Sequence, residues 1–365
     1  MGDLILLFRR RRALALAAVL LIASTPACSS KKKKQAAPTP SPVPSTAAPS
    51  AVSSTPGPSP TPSVSQSTPP PPPPSPAPPK VEVPAGHPFT GGNEPIGPVV
   101  VVKVDNAHAA LPQSGLDDAD IIYQEGIEAG YTRLAAVYST KRPTYVGPVR
   151  SARETDIELL AQYGKVVLAF AGANRIIYKL VKRANLVNGT YDDVLSAYRL
   201  APGRRRPYST FVSIPKMMAQ RKGDNAKDVG FRFGSSRSPS SAATSVLVRW
   251  QSETNTVKYD RATRRWTVYI GSRRQVTVDN VIVQYVKLKR TGFTDAAGNY
   301  TPLTRTLGSG KVMLFRDGRA VDGTWHRQYM KSPTIMLDSK RQKMLLRPGT
   351  TFVMLLPNTQ SISIS

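Results

Sequence analysis

The uncharged, proline-rich stretch from Gln35 to Pro79 is the feature that most limits what this chain can fold into. It consists mainly of Pro, Ser, Thr and Ala and includes the run PPPPPPSPAPP. Such a composition cannot bury a core and favours extended, polyproline II backbone. With the preceding lysines, Lys31 to Lys34, it predicts a disordered linker over residues 29–80 that can reach on the order of 100 Å. Folded structure is therefore expected only after this linker.

The first 28 residues have the three parts of a bacterial export signal. Arg9 to Arg12 are basic, Ala13 to Ala23 are apolar, and small residues lead to Cys28, the only cysteine. Because Cys28 stands where a lipoprotein signal places its acylated cysteine, we predict a lipid (palmitate-type) anchor on the outer face of the cytoplasmic membrane. The alternative is an ordinary signal cleaved at Ala27, since Thr25 occupies a position that is usually apolar.

The charge of the remaining chain limits its partners. The formal net charge is +27, of which residues 80–365 carry +20. A basic domain commonly binds nucleic acid, but export and the lack of an aromatic-basic motif argue against nucleic acid here. An anionic cell-wall polymer, a phospholipid surface or an envelope protein fits the compartment better.

No residue pattern predicts a metal or a cofactor. The three histidines, His87, His108 and His326, are far apart in the sequence. Neither a glycine-rich phosphate loop nor a nucleophile elbow is present. We therefore predict that the protein uses neither a metal nor a cofactor.

The pattern of apolar residues divides the rest of the chain into two halves. We predict an α/β (α+β) domain over residues 90–225 and a β-rich domain over residues 240–358, separated by a small-residue, polar boundary near residues 222–245. In the first half, strands are expected at 99–104, 121–127, 132–139 and 166–171, and helices from Ser151 and over 175–184. In the second half, strands are expected at 246–250, 266–270, 281–286, 312–315 and 352–356, with a hairpin turn at Asp317 and Gly318.

The segment GPVRSARE, residues 147–154, places two arginines beside a predicted helix start. Ser151 and Glu154 have the spacing of a capping box. Arg150 and Arg153 would then lie at the positive end of the helix, where a cation is unfavourable unless an anion is near. The two interpretations are salt bridges to a carboxylate such as Glu125 or Asp156, and a site for a phosphate or carboxylate ligand.

An acidic segment offers the alternative of catalysis. The sequence SGLDDADIIYQEGIEAG includes Glu125 and Glu128, which would point to opposite faces of a strand. Only one of them could then line a site. Glu125 or Asp105 is the candidate acid or base of a cell-wall polymer hydrolase or transferase.

Several motifs resemble one bacterial family. They are VKVDN, LPQSGLDDADIIYQEGIEAGYTRLAAVYS, GPVRSARETDIELL, NVIV, GSGKVMLFRDGRAVDGTWHR and LRPGTTFV, in that order over about residues 95–357. They are similar to the YerB-like lipoproteins, whose conserved region is the domain of unknown function 3048. The resemblance implies an N-terminal domain, a C-terminal domain and a lipoprotein signal, and it implies no activity. Family members often have Pro-His-Asn where this chain has Pro207, Tyr208 and Ser209.

Taken together, these features favour a non-enzymatic envelope lipoprotein that binds an anionic wall component or a protein partner. The expected ligand-binding residues are Arg150 and Arg153 with the nearby Ser151, Asp105, Asn106, Gln113, Ser114, Glu125 and Asn174. The hydrolase or transferase is the competing hypothesis. A carboxylate with a raised pKa that faces a cleft beside the arginines would distinguish the enzyme from the binder.

Overall fold

Strands dominate the part of the chain that this computed structural model describes, residues 86–295 and 298–365. The predicted signal peptide, the lipidation site at Cys28 and the proline-rich linker lie outside these residues. The described part has few helices, and all three of its α-helices lie before residue 221. The described fold is therefore mainly β, with its few helices before residue 221.

Short strands with β-branched, apolar sequences alternate with short helices in the first half. The buried run VVVKVD, for example, forms the first strand. The elements are β1 (Val100–Asp105), β2 (Ile121–Gly126), β3 (Thr132–Tyr138), α1 (Glu154–Leu160), β4 (Val167–Phe170), α2 (Arg175–Arg183), β5 (Val187–Thr190), β6 (Tyr198–Leu200), β7 (Thr210–Val212) and α3 (Ile214–Gln220). Single 3₁₀ turns occur at His108–Ala110, Leu116–Asp118, Glu128–Gly130, Ala161–Tyr163 and Leu195–Ala197.

The second half consists of strands joined mostly by tight turns. Its elements are β8 (Ser241–Ala242), β9 (Ser245–Arg249), β10 (Thr254–Asp260), β11 (Arg265–Ile270), β12 (Arg273–Val278), β13 (Asn280–Thr294), β14 (Tyr300–Arg305), β15 (Gly308–Arg316), β16 (Arg319–Arg327), β17 (Ile335–Asp338), β18 (Thr351–Pro357) and β19 (Ser361–Ile364). Asp317 and Gly318 form the turn between β15 and β16, both with positive φ, which confirms the predicted hairpin.

One twelve-stranded sheet contains strands from both halves. Its order is β17-β16-β15-β13-β18-β2-β3-β1-β4-β5, with β14 paired to β13 and β8 paired to β16. Strand β18 lies between β13 and β2 and is parallel to both. A second sheet has the order β12-β11-β10-β9-β19, and β6 and β7 form a small hairpin.

The large sheet is covered on both faces, as its apolar strands require. On one face of β1, Val100, Val102 and Val104 belong to a core cluster that includes Trp266 and other residues of the second sheet. On the other face, Val101 belongs to a cluster with Leu159 of α1 and Ile177 of α2. The candidate site lies at the C-terminal end of β1, near Asp105.

Candidate anion-binding site

Helix α1 begins later than predicted, and its cap differs. Arg153 is the N-cap residue, and the Oδ2 atom of Asp156 accepts a hydrogen bond from the Arg153 backbone N–H at 2.7 Å. Ser151 lies before the helix, where its hydroxyl donates to the carbonyl of Ala171 at 3.3 Å. The predicted capping box of Ser151 and Glu154 is therefore wrong, because Ser151 is held against the end of β4 instead.

The segment that carries both arginines lies along β1. The Arg150 N–H donates to the Lys103 carbonyl at 2.8 Å, and the Ala171 N–H donates to the Arg150 carbonyl at 3.0 Å. These two bonds fix the backbone of Arg150 between β1 and the residue after β4. The side chains of Arg150 and Arg153 are thereby held at one edge of the sheet.

Each arginine faces a carboxylate. Arg150 Nε donates to Asp105 Oδ2, and Arg153 Nη2 and Nε donate to Glu128 Oε2 at 2.6 and 3.1 Å. The predicted salt bridges are thus present with different partners, because neither Glu125 nor Asp156 pairs with these guanidinium groups. Although burial alone would raise it, Arg153 holds the pKa of Glu128 below its ordinary value.

A third arginine, Arg133, lies beside this pair and is 4% exposed. It is the cross-strand neighbour of both Asp105 and Glu125. Its Nη1 donates to the Ser151 carbonyl at 3.3 Å, and its Nε has no hydrogen-bond partner in the described chain. Burial, followed by the charge of Arg153, lowers the pKa of Arg133 to about 9. The site therefore holds more positive charge than its two carboxylates neutralise.

Two clefts meet at Arg150. The larger encloses about 560 Å³ and is lined by Glu128, Arg150, Ser151, Arg153, Ala173, Asn174, Ile177, Thr294, Asp295 and Thr301. The smaller encloses about 260 Å³ and is lined by Val149, Arg150, Ala171, Gly172, Tyr191, Asp192, Arg206, Pro207 and Thr210. Arg150 is the arginine common to both.

Asn174 also belongs to the larger cleft. Its Oδ1 accepts from the Ile176 N–H at 2.9 Å and caps α2, and its Nδ2 donates to the Thr294 carbonyl at 2.6 Å. Asn174 thus joins α2 to the end of β13 at the rim of the cleft. Its two polar groups are already paired, so it shapes the cleft more than it offers free donors.

Three other predicted residues lie elsewhere. Asn106 and Gln113 share a hydrogen bond of 3.1 Å, and Asn106 also bonds Thr132 and Glu253 in a polar cluster on the opposite face of the sheet. Ser114 pairs its backbone with Gly147. None of these three lines either cleft.

Glu125 is enclosed beneath the site. Lys103 Nζ lies 2.5 Å from Glu125 Oε1 and 2.7 Å from Asp156 Oδ1, and all three side chains are 0% exposed. Burial raises the pKa of Glu125 to about 7, although Lys103 acts to lower it. Glu125 lines neither of the two clefts, and Asp105 is paired with Arg150.

The sequence prediction missed Lys103, Arg133 and Glu253. Lys103 and Arg133 were detectable, because each is a charge inside a strand that is otherwise mostly apolar. Glu253 lies near a turn with no pattern around it, so only the pairing of β9 and β10 brings it to Asn106.

Within 86–295 and 298–365, His, Cys, Asp and Glu side chains form no group of three that could hold a metal ion. In the same ranges, helices with the length and hydropathy needed to cross a membrane are absent.

Comparison with known proteins assigns the family. Residues 86–227 match the N-terminal domain, and residues 241–353 the C-terminal domain, of the family described as Protein of unknown function (DUF3048). The chain therefore belongs to this family, as the sequence motifs predicted.

A protein of Bacillus subtilis (strain 168), named "Putative lipoprotein YerB", is similar to this chain. The two are 26% identical over 280 residues, which cover 73% of this chain and 83% of that protein. A crystal structure of YerB from Bacillus subtilis superposes with a TM-score of 0.62 at 21% identity, covering 76% of this chain and 98% of that one. At this identity the superposition shows a shared fold.

Proposed function

We propose that this protein is an envelope lipoprotein, anchored through Cys28 on the outer face of the cytoplasmic membrane, that binds an anionic cell-wall polymer at Arg150. The anchor is supported by the export pattern before the lone cysteine and by the name of the Bacillus relative. The binding proposal rests on the geometry of the arginine site. The site would recognise the ligand through phosphate or carboxylate groups that repeat along the polymer.

The observation that carries the proposal is the state of the Arg150 side chain. Its Nε is paired with Asp105, while Nη1 and Nη2 have no acceptor within residues 86–295 and 298–365. The side chain is 27% exposed and lines both clefts. A guanidinium group held on one edge and open on the other is suited to bidentate binding of a phosphate or carboxylate.

Arg153 has a different part in the site. All three of its side-chain nitrogens already donate hydrogen bonds, to Glu128 and to the carbonyls of Ser151 and Ala152. We therefore assign Arg153 to holding the wall of the cleft and supplying charge. Arg133 adds a buried positive charge beside it, which favours an anion in the cleft.

The two clefts favour an elongated ligand. They adjoin at Arg150, and the smaller one also contains the exposed Arg206. A polymer with charges at intervals could contact both arginines at once, whereas a single small anion would use one. A hydrolase or transferase is less well supported, because neither Glu125 nor Asp105 lines either of these two clefts.

The test is co-sedimentation with purified bacterial cell walls, used before and after extraction of their phosphate-bearing polymers. The full chain carrying Cys28→Ala removes the lipid and is the reference. Adding Arg150→Ala should weaken binding by at least about tenfold, because a hydrogen-bonded charge contact contributes roughly 1.5–3 kcal/mol. Raising the salt concentration should weaken the reference more than the variant.

The matched control is Arg273→Ala, which removes one positive charge from an exposed side chain on β12. It should bind almost as well as the reference. Equal losses for the Arg150 and Arg273 variants would mean that only overall charge matters. No binding of the reference to unextracted walls would refute the polymer proposal and favour an acidic envelope protein as the partner.

A further inference from the structure

The side chains of Lys103, Glu125 and Asp156 are fully buried and in direct contact, which brings an amine against two carboxyl groups away from water. We propose that Lys103 and Asp156 become joined by an intramolecular isopeptide bond, with Glu125 as the acid-base group for its formation. The amine and both carboxylates are fully enclosed, with Nζ 2.7 Å from Asp156 Oδ1 and 2.5 Å from Glu125 Oε1. This inference does not depend on the anion site.

The surroundings make the charged forms costly. Lys103 lies on β1 beside the buried Val101 and opposite the buried Ala135 of β3, and Asp156 precedes the buried Leu159 of α1. One ammonium contacts both carboxylates, and the guanidinium groups of Arg133 and Arg153 donate hydrogen bonds to other groups. Taking such an ion pair out of water carries a desolvation cost even when the charges are paired. Condensing an amine with a carboxylate to an amide removes one charge of each sign from the core.

The bond formation balances without an oxidant or a cofactor. Glu125 takes a proton from Nζ, and the uncharged amine attacks Cγ of Asp156, forming the Nζ–Cγ bond. Glu125 passes protons from Nζ to Oδ1 of Asp156, and the Cγ–Oδ1 bond breaks with release of one water molecule. Lysine ammonium and aspartate thus become amide plus water, and Glu125 ends in its starting protonation state.

Each neighbouring group is suited to this chemistry. The backbone N–H of Arg153 already donates to Asp156 Oδ2 at 2.7 Å, so this N–H would stabilise the negative charge that develops on that oxygen. Glu125 Oε2 is buried without a hydrogen-bond partner, which leaves it free to carry protons. Its raised pKa of about 7 is the range in which a carboxyl group both accepts and releases protons near neutrality.

The consequence for the fold is a covalent link between β1 and α1. The sequence has one cysteine, at position 28, so a disulfide within residues 86–295 and 298–365 is not available. An amide between positions 103 and 156 would close a long loop and also hold the backbone that carries Arg150 and Arg153.

Tryptic peptide mapping by mass spectrometry of the purified full chain tests the bond directly. Trypsin does not cleave after an acylated lysine, so residues 81–133 should appear joined to residues 154–165, with a mass lower by one water than the sum of the two. Recovery of residues 81–103 and 154–165 only as separate, unmodified peptides would overturn the proposal. This readout is independent of how the N-terminus is processed.

Two variants and a matched control assign the roles. Asp156→Ala and Glu125→Gln should both give the separate peptides, the first by removing the acyl group and the second by removing the proton carrier. Glu154→Gln is the matched control, because it changes another carboxylate of α1, one that does not pair with Lys103. This variant should still give the joined peptide. A joined peptide in Glu125→Gln would refute the role of Glu125, and a fragment spectrum with Lys103 linked to Glu125 would refute Asp156 as the partner.

Discussion

Replacing Arg153 by Ala should destabilise the protein far more than replacing Arg150. The Arg153 and Glu128 side chains are 12% and 8% exposed, so truncating Arg153 leaves an almost buried carboxylate without its cation. Breaking a buried pair costs about 3–5 kcal/mol. We expect a loss near 3 kcal/mol, because Thr301 Oγ1 still donates to Glu128 Oε1 at 2.9 Å. Arg150 is 27% exposed, and its partner Asp105, although only 4% exposed, would keep the N–H of Ala107 at 2.9 Å and the neighbouring charge of Arg133. Its truncation should therefore cost about 1 kcal/mol.

Urea unfolding of a double-mutant cycle measures the interaction itself. The cycle consists of wild type, Arg153→Ala, Glu128→Gln and the double variant, with Arg273→Ala as a control for loss of one surface charge. We expect a coupling free energy of about 2 kcal/mol and a control effect within about 0.5 kcal/mol. A cost below 1 kcal/mol for Arg153→Ala, with no coupling to Glu128, would refute the argument.

The same pair predicts a pH dependence with a definite sign. Burial acts to raise the pKa of Glu128, but Arg153 brings it below the ordinary value of 4.5. A carboxylate whose folded-state pKa is depressed adds stability above the unfolded-state value and loses it as the pH falls through the folded-state value. The stability difference between wild type and Arg153→Ala should therefore be full near neutral pH and shrink on acidification below about pH 4.5.

Three further predictions concern other parts of the chain. Cys28→Ala should abolish incorporation of a labelled fatty acid and release the protein from the membrane fraction. If the wild-type protein incorporates no labelled fatty acid, the predicted anchor is wrong. Deleting residues 35–79 should leave the melting temperature unchanged, and a clear drop would show that this stretch packs on the folded part. Gly230→Ala should cost at least about 2 kcal/mol, because φ is +101° and an added Cβ would lie 1.9 Å from the Thr334 carbonyl oxygen. The control is Gly292→Ala, where an added Cβ would meet open space, and this variant should unfold at nearly the same urea concentration as wild type.

Local patterns predicted most of the individual elements. The apolar runs marked β1 to β4 and the central strands of the second half, and the spacing of Ile177 and Val181 marked α2. What the sequence could not indicate is that strands of the two halves share a sheet. The parallel pairing of β18 with both β2 and β13 joins segments far apart in the chain, and no local propensity encodes such a choice.

The surroundings of the candidate site were predicted only in part for a similar reason. GPVRSARE drew attention to Arg150 and Arg153 because two cations precede a helix, which is a local feature. Their partners, Asp105 and Glu128, are brought by sheet pairing and a 3₁₀ turn. Asn106 was grouped with Asp105 because the two are adjacent, yet successive residues at a strand end face opposite ways. One therefore reaches Arg150 and the other Glu253.

The central position of β18 has a consequence for how the protein is made. A ribosome produces residues 121–126 long before residues 351–357, so β2 has an unpaired edge until almost the whole described sequence has been synthesised. Unpaired strand edges readily pair with other chains, and slow, long-range pairing prolongs that exposure. Nascent chains should thus require protection by a holding chaperone. A stop codon shortly before residue 351 should yield aggregated or degraded product instead of a soluble N-terminal fragment.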